Sequence, residues 1–328
     1  MNFKYLLGNE NVKEQISVLM ESNRLPHAII IEGEEGIGKK TFAREIAAAL
    51  VCRSNENKPC YQCSQCHKAE KGIHPDIYEH TATGGANSFH IQTVRDIISD
   101  ICMPPNEAEF KVYILGNAHC MNENAQNAIL KVLEEPPAYA VFILTVENRS
   151  MLLETVLSRS VVLSLNGVNA KDGAEYIVNE NDEIDYNSAF SAVTALRGNI
   201  GKAKESIIGG KMKETVDLVT NICNAIMADN EYELIKCVSA FSKNRKELAT
   251  ALSMLKMIFR DALIGKDTNE ILSGQNNIVY ELSSKYTSAK LLALFNSADE
   301  LIEMTKKNAN NALLTTKICY TLRRATGR

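Results

Sequence analysis

Ala28-Ile29-Ile30-Ile31-Glu32-Gly33-Glu34-Glu35-Gly36-Ile37-Gly38-Lys39-Lys40-Thr41 is the stretch on which the fold turns. An apolar run ends at a glycine loop. Behind the loop Phe42, Ile46 and Leu50, with Ala43 and Ala47 beside them, recur at helical spacing. Strand, Gly33-x4-Gly38-Lys39, helix is the setting in which such a loop has a mechanism. Its glycines let backbone N–H groups curl around phosphates at the positive end of the following helix. Gly33, Gly36, Gly38, Lys39 and Thr41 are therefore candidate phosphate-loop residues, with Lys39 reaching the terminal phosphates.

Working outward, further strands are expected at Ile77–Glu79, Val112–Leu115, Val141–Thr145 and Val161–Leu165. A helix is expected from Asn124 to Glu135, with Ile129, Val132 and Leu133 inward and Pro136-Pro137 as its stop. Strands alternating with helices imply an α/β domain with a parallel sheet and helices on both faces. After Asn166 no convincing strand follows. Helices are expected at Ala170–Asn179 and Asn187–Leu196, and Arg197 to Ala203 reads as a turn entering a short helix. From Met212 the helices lengthen, with Leu291, Leu294, Ala298 and Leu301 on one face. The expected domains are 1–166 (P-loop domain), 167–208 (small helical domain) and 209–328 (all-α domain).

The loop lacks the groups that would make it hydrolytic. After the lysine, a Ser or Thr should place a hydroxyl on magnesium. Here the residue is Lys40, and Thr41 comes one position late, rotated by about 100° around the helix. The strand Lys111-Val112-Tyr113-Ile114-Leu115 runs into Gly116-Asn117 where hydrolases place acids, and Glu123 lies beyond a turn. Neither Gly116 nor Asn117 offers a hard cation negative charge or acts as a base at neutral pH. Both defects strike the same ion, which argues against hydrolysis. Two readings of the loop stay open: it binds ATP or ADP without turnover, or it folds without holding nucleotide.

Cys60-x2-Cys63-x2-Cys66, preceded by Cys52, is the strongest metal motif. Thiols two residues apart reach one tetrahedral ion, and four sulfurs suit a structural zinc. An iron–sulfur pattern would want a further Cys where Glu70 stands. Cys52 ends the helix behind the loop and is the best fourth ligand. His67 is adjacent to Cys66, and His74 leads into the next strand. The bland alternative is four free thiols in a surface loop. The other cysteines, Cys102, Cys120, Cys223, Cys237 and Cys319, read as reduced thiols within apolar patterns.

Composition narrows the class. The chain has 328 residues, 45% hydrophobic and 23% charged, with no Trp. A net charge of −4 does not make the whole molecule an electrostatic nucleic-acid binder. No run approaches the ~20 apolar residues of a membrane span, and the N-terminus carries no signal-peptide core. A reducing cytoplasm is expected, with no membrane contact.

Ser158-Arg159-Ser160 opens the last strand. Arg159 is either an ordinary surface residue or a cation supplied in trans to a neighbour's γ-phosphate. With it come Leu7-Gly8-Asn9-Glu10, Arg24-Leu25-Pro26-His27-Ala28, the four cysteines and Asn127-Ala128-Ile129-Leu130-Lys131-Val132-Leu133-Glu134-Glu135-Pro136-Pro137. Near the C-terminus stands Asn308-Ala309-Asn310. In these segments the chain resembles the bacterial clamp-loader subunits of DNA polymerase III holoenzyme, within the wider AAA+ group, over essentially its whole length.

The resemblance implies an AAA+ domain, a helical lid and a C-terminal collar. Motor members (gamma/tau) keep the Lys-Thr pair and the acidic strand end. Delta prime members have lost that chemistry but keep the Ser-Arg dipeptide, and Lys40, Gly116 and Asn117 align this chain with them. Gly201 stands where motors carry a nucleotide-sensing Arg, and Ser160 replaces the family's usual Cys. The implied role is an ATP-independent member of a hetero-pentameric ring with motor and delta subunits. That ring loads the sliding clamp onto primed DNA, and Arg159 completes a neighbour's ATP site. The chain would then be a polymerase-holoenzyme subunit without ATPase activity of its own. Two alternatives compete: an active motor using Thr41 and a distant acid, and a zinc-dependent nucleic-acid-binding module on an unused P-loop scaffold.

Overall fold

The computed structural model describes residues 1–22, 25–82, 89, 91–181, 183–240, 245–265, 271, 273, 275–306 and 311–327. Arg24 and the segment Asn308-Ala309-Asn310 lie outside the described residues. The chain divides into two compact units, Met1–Gly167 and Val168–Arg328.

The first unit is built on β1 (Ala28–Glu32), β2 (Ile77–Thr81), β3 (Lys111–Gly116), β4 (Ala140–Val146) and β5 (Val161–Ser164). All pairings are parallel, in the order β2-β3-β4-β1-β5. The apolar runs of β1, β3 and β4 are near-continuous because both faces are covered, as parallel sheets require. Alternate residues sort to opposite layers. Ile29, Ile31, Val112, Ile114, Val141 and Ile143 pack with Phe42, Ile46 and Leu50 of α2 (Lys39–Val51) and Ile16 of α1 (Glu10–Glu21). Ile30, Tyr113, Leu115, Phe142 and Leu144 pack with Val94 and Ile97 of α4 (Ile91–Asp100) and Ile129 and Leu133 of α5 (Glu123–Glu134). The short α3 (Ser64–Glu70) stands between α2 and β2 in sequence.

Ends are set by local chemistry. Asn122 caps α5 by accepting the Ala125 N–H at 2.9 Å, and the helix stops at Glu134, ahead of Pro136. Asn9 exchanges hydrogen bonds with the Asn166 backbone at 2.8 and 3.0 Å, tying the N-terminal segment to the end of β5. The segment 149–157 is not one continuous helix. Asn148 accepts the Ser150 N–H at 2.9 Å and closes a separate turn over Arg149–Met151. Leu152, which is buried, and Leu153 are extended, and α6 occupies only Glu154–Leu157. The apolar residues there fill the core from an extended link.

Helices are the only regular elements of the second unit among its described residues. Its elements are α7 (Ala170–Glu180), α8 (Tyr186–Ala195), α9 (Ile200–Ile208), α10 (Lys211–Ala228), α11 (Glu231–Ala240), α12 (Arg245–Ile264), α13 (Asn276–Lys285), α14 (Ser288–Lys306) and α15 (Asn311–Ala325). Leu291, Leu294, Ala298 and Leu301 of α14 are fully buried in a core that also takes Leu255 and Phe259 of α12. The α8–α9 turn uses Arg197 and Gly198 at positive φ, and the Gly198 N–H reaches back to Val193 O at 2.8 Å. Asn199 then caps α9.

Candidate functional site

The glycine loop leaves the carboxyl end of β1, the edge at which open parallel sheets bind ligands. Gly38 sits at φ 103°, a conformation that side chains resist, and a Cβ there would lie 3.2 Å from Leu6 Cδ1. Lys39 opens α2. Its buried ammonium donates to Gly33 O at 2.6 Å and Glu34 O at 2.8 Å, closing the loop on itself. Gly33, Gly36, Gly38 and Lys39 thus form one cradle at a helix N-terminus, and Thr41 stands half-buried in the first turn.

Lys40 turns away from that cradle. Its Nζ pairs with Glu79 Oε1 of β2 at 2.6 Å, while Arg44 grips the same carboxylate at 2.8 and 3.2 Å. Burial alone would raise the Glu79 carboxyl; the hydrogen bonds and charges of Arg44 and Lys40 prevail and hold it below its usual range. The position that should present a hydroxyl to magnesium therefore serves an ion pair with the sheet.

At the end of β3 there is no room for an acid. Gly116 is in register with Thr81, and a Cβ at 116 would lie 2.5 Å from Thr81 Oγ1 and 2.9 Å from its Cγ2. A β-branched side chain on a strand has few rotamers with which to step aside. Asn117, at φ 56°, donates Nδ2 to Ala82 O at 3.1 Å, and its own N–H goes to Thr145 Oγ1 at 3.0 Å. Glu32, the acid that ends β1 just before the loop, is engaged by Arg149 (Nε at 3.2 Å, backbone N–H at 2.9 Å) and by Ser164 at 2.9 Å. These contacts outweigh burial and keep its carboxyl below the usual range.

At the far end of α2, Cys52, Cys60, Cys63 and Cys66 bring their sulfurs within 4.8 Å of one another. Cys60 and Cys66 Sγ are 3.9 Å apart. A tetrahedral ion with bonds of about 2.3 Å needs sulfurs about 3.8 Å apart, so the set fits a four-cysteine metal site. Backbone N–H groups of Ser54, Cys60, Cys63 and Cys66 point at the Cys52, Cys60 and Cys63 sulfurs at 3.4 Å. Burial pushes the Cys63 thiol up, but N–H groups of Cys66 and Arg53 and neighbouring thiols bring it down to about 6. Burial dominates at Cys66 and Cys52 and raises both.

The cysteine module is braced from two sides. Tyr61 donates to Glu45 Oε1 of α2 at 2.5 Å, and the same carboxylate accepts the Tyr5 and Leu6 N–H groups at 2.8 and 2.9 Å. Opposite, Lys68 and Gln65 of α3 reach Glu107 at 2.6 and 3.2 Å. Asp76 holds that turn through the N–H groups of Asn106, Glu107 and Ala108 at 2.5 to 2.9 Å. His74 is buried, its Nδ1 accepting the Asp76 N–H at 3.0 Å, and neither it nor His67 joins the sulfur cluster.

Arg159 stands just past α6 with its side chain 36% exposed. Its Nη1 donates to Thr155 O at 2.9 Å and its Nη2 pairs with Glu134 at 2.8 Å. The phosphate loop, the cysteines and Arg159 all belong to the first unit; the partners Glu79, Glu32, Thr81 and Glu134 are what residue patterns alone did not supply. Glu134 carried a signal, standing in Leu133-Glu134-Glu135-Pro136-Pro137. The others carried none.

Fold and site together define a P-loop domain of AAA+ type with an inserted four-cysteine module and a helical C-terminal half. Residues 8–169 match the family described as DNA polymerase III, delta subunit. The chain is 24% identical over 327 residues to DNA polymerase III subunit gamma of Buchnera aphidicola subsp. Acyrthosiphon pisum, covering 97% of this chain and 88% of that protein. It is 30% identical over 195 residues to DNA polymerase III subunit delta' of Haemophilus influenzae, 58% of this chain and 57% of the relative. It is 26% identical over 246 residues to DNA polymerase III subunit tau of Escherichia coli, 72% of this chain and 38% of the relative. Residues 8–169 thus carry a domain of this DNA polymerase III family, and the chain is related to gamma, tau and delta' clamp-loader subunits. Among the described residues no helix is long and apolar enough to cross a membrane.

Proposed function

We propose that this chain is a delta-prime-type clamp-loader subunit, a non-hydrolysing ring member that supplies Arg159 to the ATP site of an adjacent motor. The observation that carries the reading is the loss of both metal-holding positions by different physical means. Lys40 is committed to Glu79 at 2.6 Å, and the space a side chain at Gly116 would need is taken by Thr81. A P-loop that cannot hold magnesium from either side does not activate water. Arg159, solvent-facing at the end of α6, keeps a cation that such a ring can use in trans.

On this reading the partners are gamma/tau motor and delta subunits, and the assembly acts on a sliding clamp and primed DNA in the cytoplasm. Residues 167–208 act as the lid and 209–328 as the collar. The four cysteines hold one structural zinc, and nucleotide, if held by Lys39, is not turned over.

A second reading, an active motor, draws on the gamma and tau names of two of the relatives. Steady-state hydrolysis by the purified chain separates the two. The delta-prime reading expects none above background, and turnover abolished by Lys39→Ala would overturn it.

A further inference from the structure

We propose that Glu134 is a positioning residue for Arg159, an inference that rests on Arg159 acting in trans on a neighbour's phosphate. Two elements far apart in sequence hold this one guanidinium. The last residue of α5 supplies a carboxylate to Nη2 at 2.8 Å, and α6 supplies the Thr155 carbonyl to Nη1 at 2.9 Å, with Ser158 Oγ at 3.4 Å from the same nitrogen. These contacts leave the Nε–H and one Nη2 N–H with no acceptor among the described residues. A fork fixed at two corners with donors to spare is arranged to meet a phosphate oxygen.

Glu134 has two opposed effects on such a contact. It immobilises a side chain that would otherwise lose rotamer freedom on meeting phosphate, which helps. Its negative charge also repels phosphate, which hinders. Both side chains are well exposed, 36% for Arg159 and 50% for Glu134, so water screens the repulsion while the geometric restraint remains. Positioning wins. Its placement follows from the sequence: Pro136-Pro137 ends α5 so that Glu134 is the last helical residue, on the terminus that faces α6.

The test is single-turnover and steady-state ATP hydrolysis by the full ring, reconstituted with motor and delta subunits of the same organism. Variants are Arg159→Ala, Glu134→Ala, Glu134→Gln and Arg159→Ala with Glu134→Ala. Arg159→Ala should slow the chemical step at the site it serves by on the order of 10³-fold. Glu134→Ala should lower kcat by about two- to fivefold, the worth of an exposed ion pair, with KM for ATP unchanged. Glu134→Gln keeps the acceptor oxygen and should recover part of the loss. The double variant should equal Arg159→Ala alone.

If Arg159→Ala hydrolyses at the wild-type rate, the in-trans reading falls and this inference with it. If Arg159→Ala is slow while Glu134→Ala matches or exceeds wild type, only the role of Glu134 is overturned. An effect of Glu134→Ala that persists without Arg159 overturns it too. Melting of each variant chain controls for folding, and Glu134→Gln decides the matter should Glu134→Ala fail to enter the ring.

Discussion

Helix α2 begins at Lys39, in the phosphate loop, and ends where Cys52 opens the cysteine cluster, and the two ends have fared differently. At the first, the backbone keeps its cradle while the side chains that would use it have been redirected: Lys40 to Glu79, Asn117 to Ala82. At the second, four side chains converge on a point within 4.8 Å. A loop backbone persists when folding needs it, since Lys39 and the loop carbonyls satisfy one another and α2 must leave the sheet somewhere. Four convergent sulfurs satisfy no such need. Thiols so close gain little from each other without an ion, and that makes the cysteine end the stronger indication of a ligand.

The largest expected effect tests that end. Cys63→Ser should reduce bound zinc from one equivalent to none by elemental analysis. Because zinc binding is worth on the order of 10 kcal/mol and couples directly to folding, amide exchange over residues 52–70 should rise sharply. Unchanged metal content would return the cluster to four free thiols.

Next comes the brace beneath the module. Asp76 is fully buried; burial pushes its carboxyl up, but three backbone N–H groups and the Asn106 amide bring it below its usual range. A folded value below the unfolded one means that the unfolded state binds more protons. Its stabilisation is thus complete above about pH 4, the unfolded value, and fades as pH falls through the lower folded value. Asp76→Asn should cost about 1.5–3 kcal/mol at neutral pH in denaturant titration, and the variant should lose less than wild type between pH 4 and pH 2. Equal acid sensitivity in both proteins would remove Asp76 from the acid response.

How much of this was legible follows from where the information lies. The strands read directly because continuous apolar runs have few other uses. The cysteines read because three lie within seven residues. Lys111 reads as the start of β3, but its burial does not, since a charge normally marks an edge. It is buried because its Nζ caps the end of α4 through Asp100 O at 2.9 Å and pairs with Asp100 Oδ2 at 2.9 Å. The redirected partners did not read at all. Arg44 and Glu79 are 35 residues apart and Arg149 and Glu32 are 117 apart, so no local pattern records those pairs.

At the loop end, Gly116→Asp tests whether the lost acid can simply be restored. The new Cβ would meet Thr81 Oγ1 at 2.5 Å, so the strand pair must shift, at a cost of about 1–3 kcal/mol. The variant should melt earlier and still not hydrolyse ATP. Adding Thr81→Ala should recover much of the stability. A Gly116→Asp chain as stable as wild type would mean that Thr81 yields freely, and that steric exclusion does not explain the missing acid.

The smallest effect is the most pointed. Lys40→Thr returns a hydroxyl to the magnesium position and removes one of two cations from Glu79. Lys40 is half-exposed and Arg44 keeps two hydrogen bonds to that carboxylate, so stability should fall by no more than about 1 kcal/mol. The activity consequence is decided by the other defect. With Gly116 offering no carboxylate, a hydroxyl alone supplies one neutral ligand to a hard dication that prefers charged oxygen. Hydrolysis should stay at background. Turnover that appears in Lys40→Thr and vanishes with Lys39→Ala would collapse the contrast between the two ends of α2, because the loop would then be an ATP site silenced by one residue.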